Sequence, residues 1–229
     1  MDRREFTEKA VKTALAAGLI FTGSTGLYSQ QNSGKKILGL SGSPRKQGNT
    51  DTLLTVCLEA AQKEGAETEK IDLIDQQIQP CLMCEKCHEN GRKPCVQKDD
   101  FHLIAEKMMA ADAIVIASPV YWIAVTSSVK ALLDRGYSLI NESLAVSLTT
   151  CNSVLNGKIG AIIVCGNSRD TQTYGEPLAN TINHFYKWMG IQLVGKIVAS
   201  AGFVRGEVAD NELVMNQAVE LGKKLAVSG

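Results

Sequence analysis

This chain of 229 residues has no excess of charge of either sign, few aromatic residues and no long hydrophobic run. Lys and Arg together number 24, as do Asp and Glu, so there is no net basic charge with which to bind a phosphate backbone. Nucleic acid is therefore not expected as a partner. The apolar run at residues 14–21 is too short to cross a bilayer, so no stable membrane span is expected. With 45% hydrophobic residues, the chain suits one compact domain with a sizeable core.

The first 34 residues differ in composition from the rest of the chain. Arg3 and Arg4 are followed by Phe6, by the apolar run at 14–21 and then by Gly, Ser and Thr. This order resembles a twin-arginine export signal, which predicts a periplasmic or other extracytoplasmic location. The alternative is a disordered arm or an amphipathic helix with two incidental arginines, in which case the protein stays in the cytoplasm. We therefore divide the chain into an export signal with its linker, at 1–34, and one domain at 35–229.

Four of the seven cysteines fall in one short segment, within the cysteine-rich loop that we assign to residues 76–99. Thiolates at close offsets can converge on one centre, and soft sulfur ligands select iron–sulfur clusters, zinc or copper(I). Polar residues separate these cysteines, which favours an exposed loop over core packing. Paired disulfides and inert thiols remain open as alternatives, and spacing alone does not separate zinc from iron. The segment reads Cys81-x-x-Cys84-x-x-Cys87-x7-Cys95.

Apolar segments alternate with segments of helical periodicity from residue 35 onward. The predicted strands are 36–41, 69–73, 113–118, 159–165 and 192–199. The predicted helices are 50–64, 100–110, 124–136, 176–189 and 210–226. Five strands, each followed by a helix, indicate a doubly wound α/β fold with a parallel sheet. Residues 138–157 fit no element well and are interpreted as an irregular insertion.

The loop after the first predicted strand is rich in small and hydroxyl residues and leads directly into a helix. It reads Ser41-Gly42-Ser43-Pro44-Arg45-Lys46-Gln47-Gly48-Asn49-Thr50. Small residues allow backbone amides to turn inward, and a helix N-terminus favours an anion. Neither a Walker loop nor Gly-x-Gly-x-x-Gly is present, so a single phosphate monoester is the expected ligand. The alternative is a polar turn that caps the helix and binds nothing.

The loop after the third predicted strand carries two adjacent aromatic residues, Tyr121 and Trp122. In a doubly wound sheet, ligands bind outside the carboxyl ends of the strands at the point where the strand order reverses. Aromatic side chains at that edge can bury a flat ring. Together with a phosphate loop, they indicate a mononucleotide with a large ring. Alternatively, the two aromatics begin a helix that packs on the core.

The order of these segments resembles the NADPH-dependent FMN reductase family, in its iron–sulfur flavoprotein branch. The similarity runs from about residue 35 to the C-terminus. It is carried by the phosphate loop, the cysteine segment, Ser118-Pro119-Val120-Tyr121-Trp122 and Lys130-x3-Asp134-Arg135.

The resemblance implies a flavodoxin-like fold, with five parallel strands in the order 2-1-3-4-5 and helices on both faces. It implies that FMN is bound through its phosphate by Ser41, Ser43, Pro44, Arg45, Asn49 and Thr50. It places the isoalloxazine ring against Pro119, Val120, Tyr121 and Trp122, with a further contact near residues 166–168. It also implies a [4Fe–4S] cluster on Cys81, Cys84, Cys87 and Cys95, and assembly into homodimers or homotetramers.

These cofactors predict an FMN-dependent oxidoreductase that passes electrons through the cluster and FMN to a small acceptor. The acceptors considered are a quinone, a nitro or azo compound and an oxygen species, and the donor is NADPH, a redox protein or a quinol. No dedicated acid or base is expected, and Asp134 and Arg135 are interpreted as no more than a helix-end ion pair. The alternatives are a flavodoxin-like electron carrier without small-molecule turnover, and an FMN-binding scaffold with structural zinc.

Overall fold

The computed structural model describes residues 34–141 and 153–228, which form one five-stranded parallel sheet. The order across the sheet is β2-β1-β3-β4-β5, which confirms the predicted doubly wound fold. The chain leaves β1 toward one edge and β3 toward the other, so the crevice between their carboxyl ends is the topological switch point. The strands are β1 (Lys36–Ser41), β2 (Glu67–Asp72), β3 (Ala113–Pro119), β4 (Ile159–Gly166) and β5 (Gln192–Ser200).

Helices cover both faces of the sheet. They are α1 (Asn49–Lys63), α2 (Phe101–Ala110), α3 (Ser127–Arg135), α4 (Thr171–Tyr174), α5 (Glu176–Met189) and α6 (Glu212–Val227). Because successive side chains of a strand point to opposite faces, the apolar strands feed two cores. Leu38 and Leu40 pack with α2, α3 and α5, whereas Ile37 packs with α1 and α6.

The boundaries differ from the predicted ones where turns intervene. Helix α3 begins at Ser127 and not at residue 124, because residues 121–124 form a tight turn. The short helix α4 was not predicted. The insertion predicted at 138–157 has ordered ends, since Leu139 and Leu155 lie in the core and Ile140 pairs with Ser153.

No helix within the described ranges is both long and apolar enough to cross a membrane. The predicted export signal with its linker covers residues 1–34, of which all but residue 34 lie outside the described residues. The central part of the insertion, 142–152, also lies outside them.

Candidate functional site

The loop after β1 forms a compact turn that leads into the first turn of α1. Ser43 Oγ accepts a hydrogen bond from Arg45 N at 3.2 Å and donates one to Arg45 O at 3.0 Å. Gly48 N also donates to Arg45 O, at 2.9 Å. Gly48 is the N-cap of α1, and no described side chain caps this helix end. The first-turn amides of α1 therefore remain available to an anion, as the phosphate interpretation requires.

Two glycines allow this loop to approach its neighbours closely. A Cβ at Gly42 would collide with the Val129 side chain and lie 2.9 Å from Ala117 O. A Cβ at Gly48 would lie 2.9 Å from Arg45 O, inside the turn itself. Both positions therefore depend on the missing side chain, because real Cβ atoms do not approach carbonyl oxygens this closely.

Asp51, which the sequence did not identify, holds the loop in place from α1. Its carboxylate is buried and accepts hydrogen bonds from Ser41 Oγ at 3.1 Å and Gln47 N at 2.8 Å. It also pairs with Lys70 Nζ at 2.7 Å. Gln47 adopts a left-handed φ of 61°, which this hydrogen bond helps to maintain. The hydroxyl of Ser41 is thus used inside the protein, and its predicted contact with phosphate stays a prediction.

Two other predicted phosphate ligands bind the loop that follows β5. Arg45 Nη1 donates to Phe203 O at 3.1 Å, and Asn49 Nδ2 donates to Gly202 O at 3.0 Å. Val208 N donates back to Asn49 Oδ1 at 3.2 Å. The loop after β5 is therefore a third wall of the site, which the sequence did not indicate. Among the remaining predicted ligands, the structure buries Ser43 and Thr50 and exposes Pro44.

The loop after β3 presents its aromatic residues on a strained turn. Tyr121 and Ala124 exchange backbone hydrogen bonds of 3.0 and 2.9 Å, while φ is 52° at Trp122 and 57° at Ile123. Positive φ at both central residues defines a type I′ turn, which favours Asn and Gly. A β-branched residue there is an outlier. Trp122 is 100% exposed, so the strain presents this ring to whatever binds at the edge.

Relief of this strain should stabilise the protein and impair the site. A left-handed residue costs about 1–2 kcal/mol, and the double substitution Trp122→Asn and Ile123→Gly relieves two of them, so we expect a gain in unfolding free energy of about 2–4 kcal/mol. Urea denaturation of the full chain measures this gain. FMN affinity, measured by fluorescence quenching, should fall at the same time. An Ile123→Val control keeps a β-branched residue in the left-handed conformation, so it should change neither the unfolding free energy nor the FMN affinity appreciably. A loss of stability in the double variant would contradict the assignment of a strained type I′ turn.

Thr126 connects the loops after β1 and β3. Its Oγ1 donates to Gly42 O at 2.9 Å, and its backbone N donates to Ser118 Oγ at 3.2 Å. The loop after β4 joins the same edge, because Val120 N donates to Cys165 O at 3.1 Å. The predicted flavin residues Pro119–Trp122 and the loop at 166–168 therefore lie at one edge of the sheet.

The cysteine-rich loop brings its four thiols to one pocket. Cys81, Cys84, Cys87 and Cys95 line this cysteine pocket together with residues of α3 and the turn that follows it. Burial raises the pKa of the Cys87 thiol, and the neighbouring charge of Cys95 raises it further, followed by those of Cys81 and Cys84. These thiols would have to lose their protons to bind a metal, which releases protons and makes binding favour higher pH.

The backbone around these thiols is wound tightly. Met83 and Glu85 adopt left-handed φ values of 48° and 57°, and Met83 N donates to Cys81 Sγ at 3.4 Å. All six cysteines within the described residues are free thiols. In the same residues, no three or more His, Cys, Asp or Glu side chains form a group that could hold a metal ion.

The two ends of this loop are joined to each other and to α3. Asp99 Oδ2 accepts from Gln79 N at 2.9 Å, and Arg135 donates to both oxygens of Asp99. The interpretation of Asp134 and Arg135 as an ion pair is wrong, because Asp134 pairs with Lys130 one helical turn away at 2.7 Å. Side chains four residues apart face each other on a helix, whereas adjacent ones do not.

Acid should weaken this fastening. Burial alone would raise the pKa of Asp99, but hydrogen bonds from Arg135 and from the amides of Gln79 and Phe101 lower it overall. A lowered pKa contributes stability above about pH 4, where an unfolded Asp ionises, and that stability is lost as pH falls through the folded pKa. Asp99→Asn should therefore destabilise the full chain more at pH 6 than at pH 3, as measured by urea denaturation without added cofactors. An equal effect at both pH values would contradict this account.

A five-stranded sheet with a serine- and glycine-rich loop at its switch point and aromatic residues beside it is the arrangement of the flavodoxin-like class of flavin-binding proteins. The family model described as NADPH-dependent FMN reductase matches residues 35–205, and the chain belongs to this family. Its cofactor is FMN, and the protein is an FMN-dependent oxidoreductase.

Two relatives are similar over nearly their whole length. An iron–sulfur flavoprotein of Methanocaldococcus jannaschii is 33% identical over 198 residues, which cover 83% of this chain and 95% of the relative. An iron–sulfur flavoprotein of Methanosarcina thermophila is 34% identical over 193 residues, covering 83% and 93%. The solved structure of an NAD(P)H:quinone oxidoreductase from Methanothermobacter marburgensis superposes with a TM-score of 0.61 at 16% identity, covering 86% of this chain and all of that one. At that identity the similarity shows the fold alone.

Proposed function

We propose that this oxidoreductase carries a [4Fe–4S] cluster on Cys81, Cys84, Cys87 and Cys95 and passes electrons through it and FMN to a small acceptor. The observation that carries the proposal is the arrangement around α3. This helix begins beside the flavin loops, where Thr126 is its N-cap, and ends at Arg135 in the wall of the cysteine pocket. Its nine residues span about 13 Å, so one short element connects the two sites.

The residues present fit a four-iron cluster. One cysteine thiolate binds each iron of such a cluster, whereas the ligands of a zinc ion converge on a single point. Four cysteines that line one pocket match the first requirement. The amide hydrogen bond from Met83 N to Cys81 Sγ is also of the kind that adjusts cluster potentials. The names of the two relatives point the same way.

The flavin-binding residues bind and orient and need not transfer protons. FMN supplies the exchange of one or two electrons, and the protein supplies position and electrostatics. We assign the phosphate to the loop of Ser43, Arg45 and the α1 amides, and the ring to the loop after β3. The turn at Ser43 and the contacts of Asp51 fix the loop after β1. Thr126 connects this loop to the loop after β3.

Turnover with small acceptors tests the enzymatic role against the carrier role. The fully exposed Trp122 fits either a substrate platform or a surface for a protein partner. We expect the reduced full-length protein to turn over a quinone, a nitroaromatic compound or an azo dye, as followed by acceptor absorbance under argon. Oxidation only by partner redox proteins, with no small-molecule turnover, would instead establish the electron carrier.

The donor is proposed to be a redox protein or a quinol, because an exported protein does not meet cytoplasmic NADPH. Anaerobic mixing with NADPH separates these possibilities, and we expect slow bleaching of the flavin absorbance. Fast bleaching at physiological NADPH would make NADPH the donor and count against export.

Export and self-assembly are parts of the same proposal. The paired arginines Arg3 and Arg4, with the apolar run after them, support export. The family match begins at residue 35 and does not bear on this segment. Fusion of residues 1–34 to a folded reporter should direct it out of the cytoplasm, and Arg3→Lys with Arg4→Lys should retain it. The exposed Trp122 and Phe203 support a homodimer or homotetramer, which light scattering would detect.

A further inference from the structure

Arg135 is a charged residue in an unusual place, the end of α3 beside the cysteine pocket. It is 1% exposed, and the structure buries no larger side chain more completely. Burial of a charge is costly unless partners compensate it, so each of its contacts requires an account.

The two terminal nitrogens of Arg135 are occupied by the base of the cysteine-rich loop. Nη1 donates to Asp99 Oδ2 at 2.7 Å and to Gln79 O at 3.0 Å, and Nη2 donates to Asp99 Oδ1 at 3.1 Å. The guanidinium carbon lies 4.6 Å from the centre of the Phe101 ring. This bidentate pair fixes the plane and direction of the guanidinium.

The third guanidinium nitrogen, Nε, takes no part in these hydrogen bonds. Nε is fully buried and has no hydrogen-bond partner among the described residues. Buried donors are nearly always satisfied, so an unpaired one on the wall of a site calls for a ligand. Burial lowers the pKa of Arg135, but Asp99 and then the charge of the nearby Cys95 raise it overall. Cys95 lines the same pocket as Arg135.

A purely structural role explains only part of this arrangement. Closure of the cysteine-rich loop accounts for the hydrogen bonds that Nη1 and Nη2 make with Asp99 and Gln79 O. It does not account for Nε, or for the retention of a cation where a packed apolar side chain would be cheaper. The other charged residue that lines the pocket, Glu85, is negative and exposed, so Arg135 supplies the positive charge of the wall.

We propose that Arg135 is a positioning residue that places a fixed positive charge and the unpaired Nε–H at the wall of the cysteine pocket, and so raises the reduction potential of the cluster on the four cysteines. The inference rests on the proposed cluster. Four thiolates leave that cluster negatively charged in both oxidation states. Its reduction adds one electron and neither makes nor breaks a bond, so the added negative charge must be stabilised where it forms. A fixed cation beside the cluster stabilises the reduced form more than the oxidised one. A hydrogen bond from the unpaired Nε–H to a sulfur of the bound cluster would add to this effect.

The test is an anaerobic redox titration of the full-length protein with dithionite, followed by electron paramagnetic resonance, with iron content measured on the same samples. Arg135→Gln should bind iron and lower the ratio of reduced to oxidised cluster at least tenfold at a fixed solution potential. For a one-electron couple, that change corresponds to a shift of about 59 mV toward negative values. Arg135→Lys keeps the charge and should recover part of the shift.

Two controls separate charge from damage. Asp99→Asn removes the negative partner and should shift the ratio in the opposite direction. Arg92→Gln removes an exposed charge from the same loop; Arg92 Nη1 lies 3.4 Å from Ser138 O. Because solvent screens this charge, the reduction potential of the cluster should remain nearly unchanged.

The outcomes distinguish this inference from the proposed function. If the wild type binds iron but neither Arg135→Gln nor Arg135→Lys shifts the ratio, Arg135 is structural and the inference fails alone. If the wild type binds no iron, both fail. If Arg135→Gln does not fold, Arg135→Lys and Asp99→Asn provide the test. An unchanged ratio of reduced to oxidised cluster in both variants would overturn the inference.

Discussion

Replacement of Cys84 by alanine is expected to abolish stable cluster binding while FMN stays bound. A four-iron cluster uses one thiolate for each iron, so the loss of one ligand leaves an iron open to solvent and oxidation. The iron content should fall from about four per chain to below about one. Cys84 is exposed, so its replacement removes little packing and should change stability by less than about 0.5 kcal/mol. The flavin loops use none of the pocket cysteines.

Cys57→Ala is the matched control for this experiment. Cys57 is buried in α1 away from the cysteine pocket, and burial raises the pKa of its thiol to about 12. Such a thiol is inert, so this variant should keep both its iron and its flavin. Retention of full iron content by Cys84→Ala, or loss of iron from Cys57→Ala alone, would show that the cluster site is assigned incorrectly.

Replacement of Asp51 by alanine should weaken FMN binding by about 100-fold, which corresponds to about 2.7 kcal/mol. The carboxylate binds Ser41, the Gln47 amide and Lys70 at once, and without it the loop must be ordered by the ligand. Ordering even two residues costs about 2–4 kcal/mol. The unfolding free energy should also fall by about 2–4 kcal/mol, because hydrogen bonds to a buried charge are lost. Fluorescence titration of the apoprotein with FMN and urea denaturation measure the two effects.

Asp75→Ala controls for the loss of an acidic residue beside the same loop. Asp75 pairs with Lys46 at 2.6 Å, but both side chains are about half exposed, so solvent screens the pair and it should contribute little to stability. FMN affinity should remain within about threefold of the wild type, because a solvent-screened pair does little to order the loop. Asp51→Asn, which keeps the shape of the side chain, should lie between the wild type and Asp51→Ala. Equal affinities for Asp51→Ala and Asp75→Ala would refute the role given to Asp51.

The fold could be predicted from the sequence because its strands are continuous apolar runs. The segments 113–118 and 159–165 are buried on both faces, and this pattern is specific to parallel strands between two layers of helices. Helix α3 was predicted three residues too early. The turn at Trp122 and Ile123 has none of the Asn or Gly that usually marks a type I′ turn, so no local signal ended the helical pattern.

The candidate binding loops could be identified from the sequence, whereas the residues that hold them in place could not. Glycines, hydroxyls and cysteines at short spacing are local signals. They led to the loops that the structure brings to one edge of the sheet and to the four cysteines that line one pocket. Asp51, Thr126 and Arg135 act on partners 10, 84 and 36 residues away. A single sequence does not show which distant residue a buried polar side chain meets. Arg135 was paired with the wrong acid for this reason, since adjacency in the chain was the only available cue.

The central claim is that one chain binds both FMN and an iron–sulfur cluster. It is tested most directly by assaying flavin, iron, acid-labile sulfide and zinc in full-length protein purified without air. The account predicts about one FMN and about four iron atoms with as many sulfides per chain, and a visible spectrum in which flavin bands lie on a broad iron–sulfur absorbance. Stoichiometric zinc without iron would remove the cluster, and colourless protein would contradict both cofactor sites.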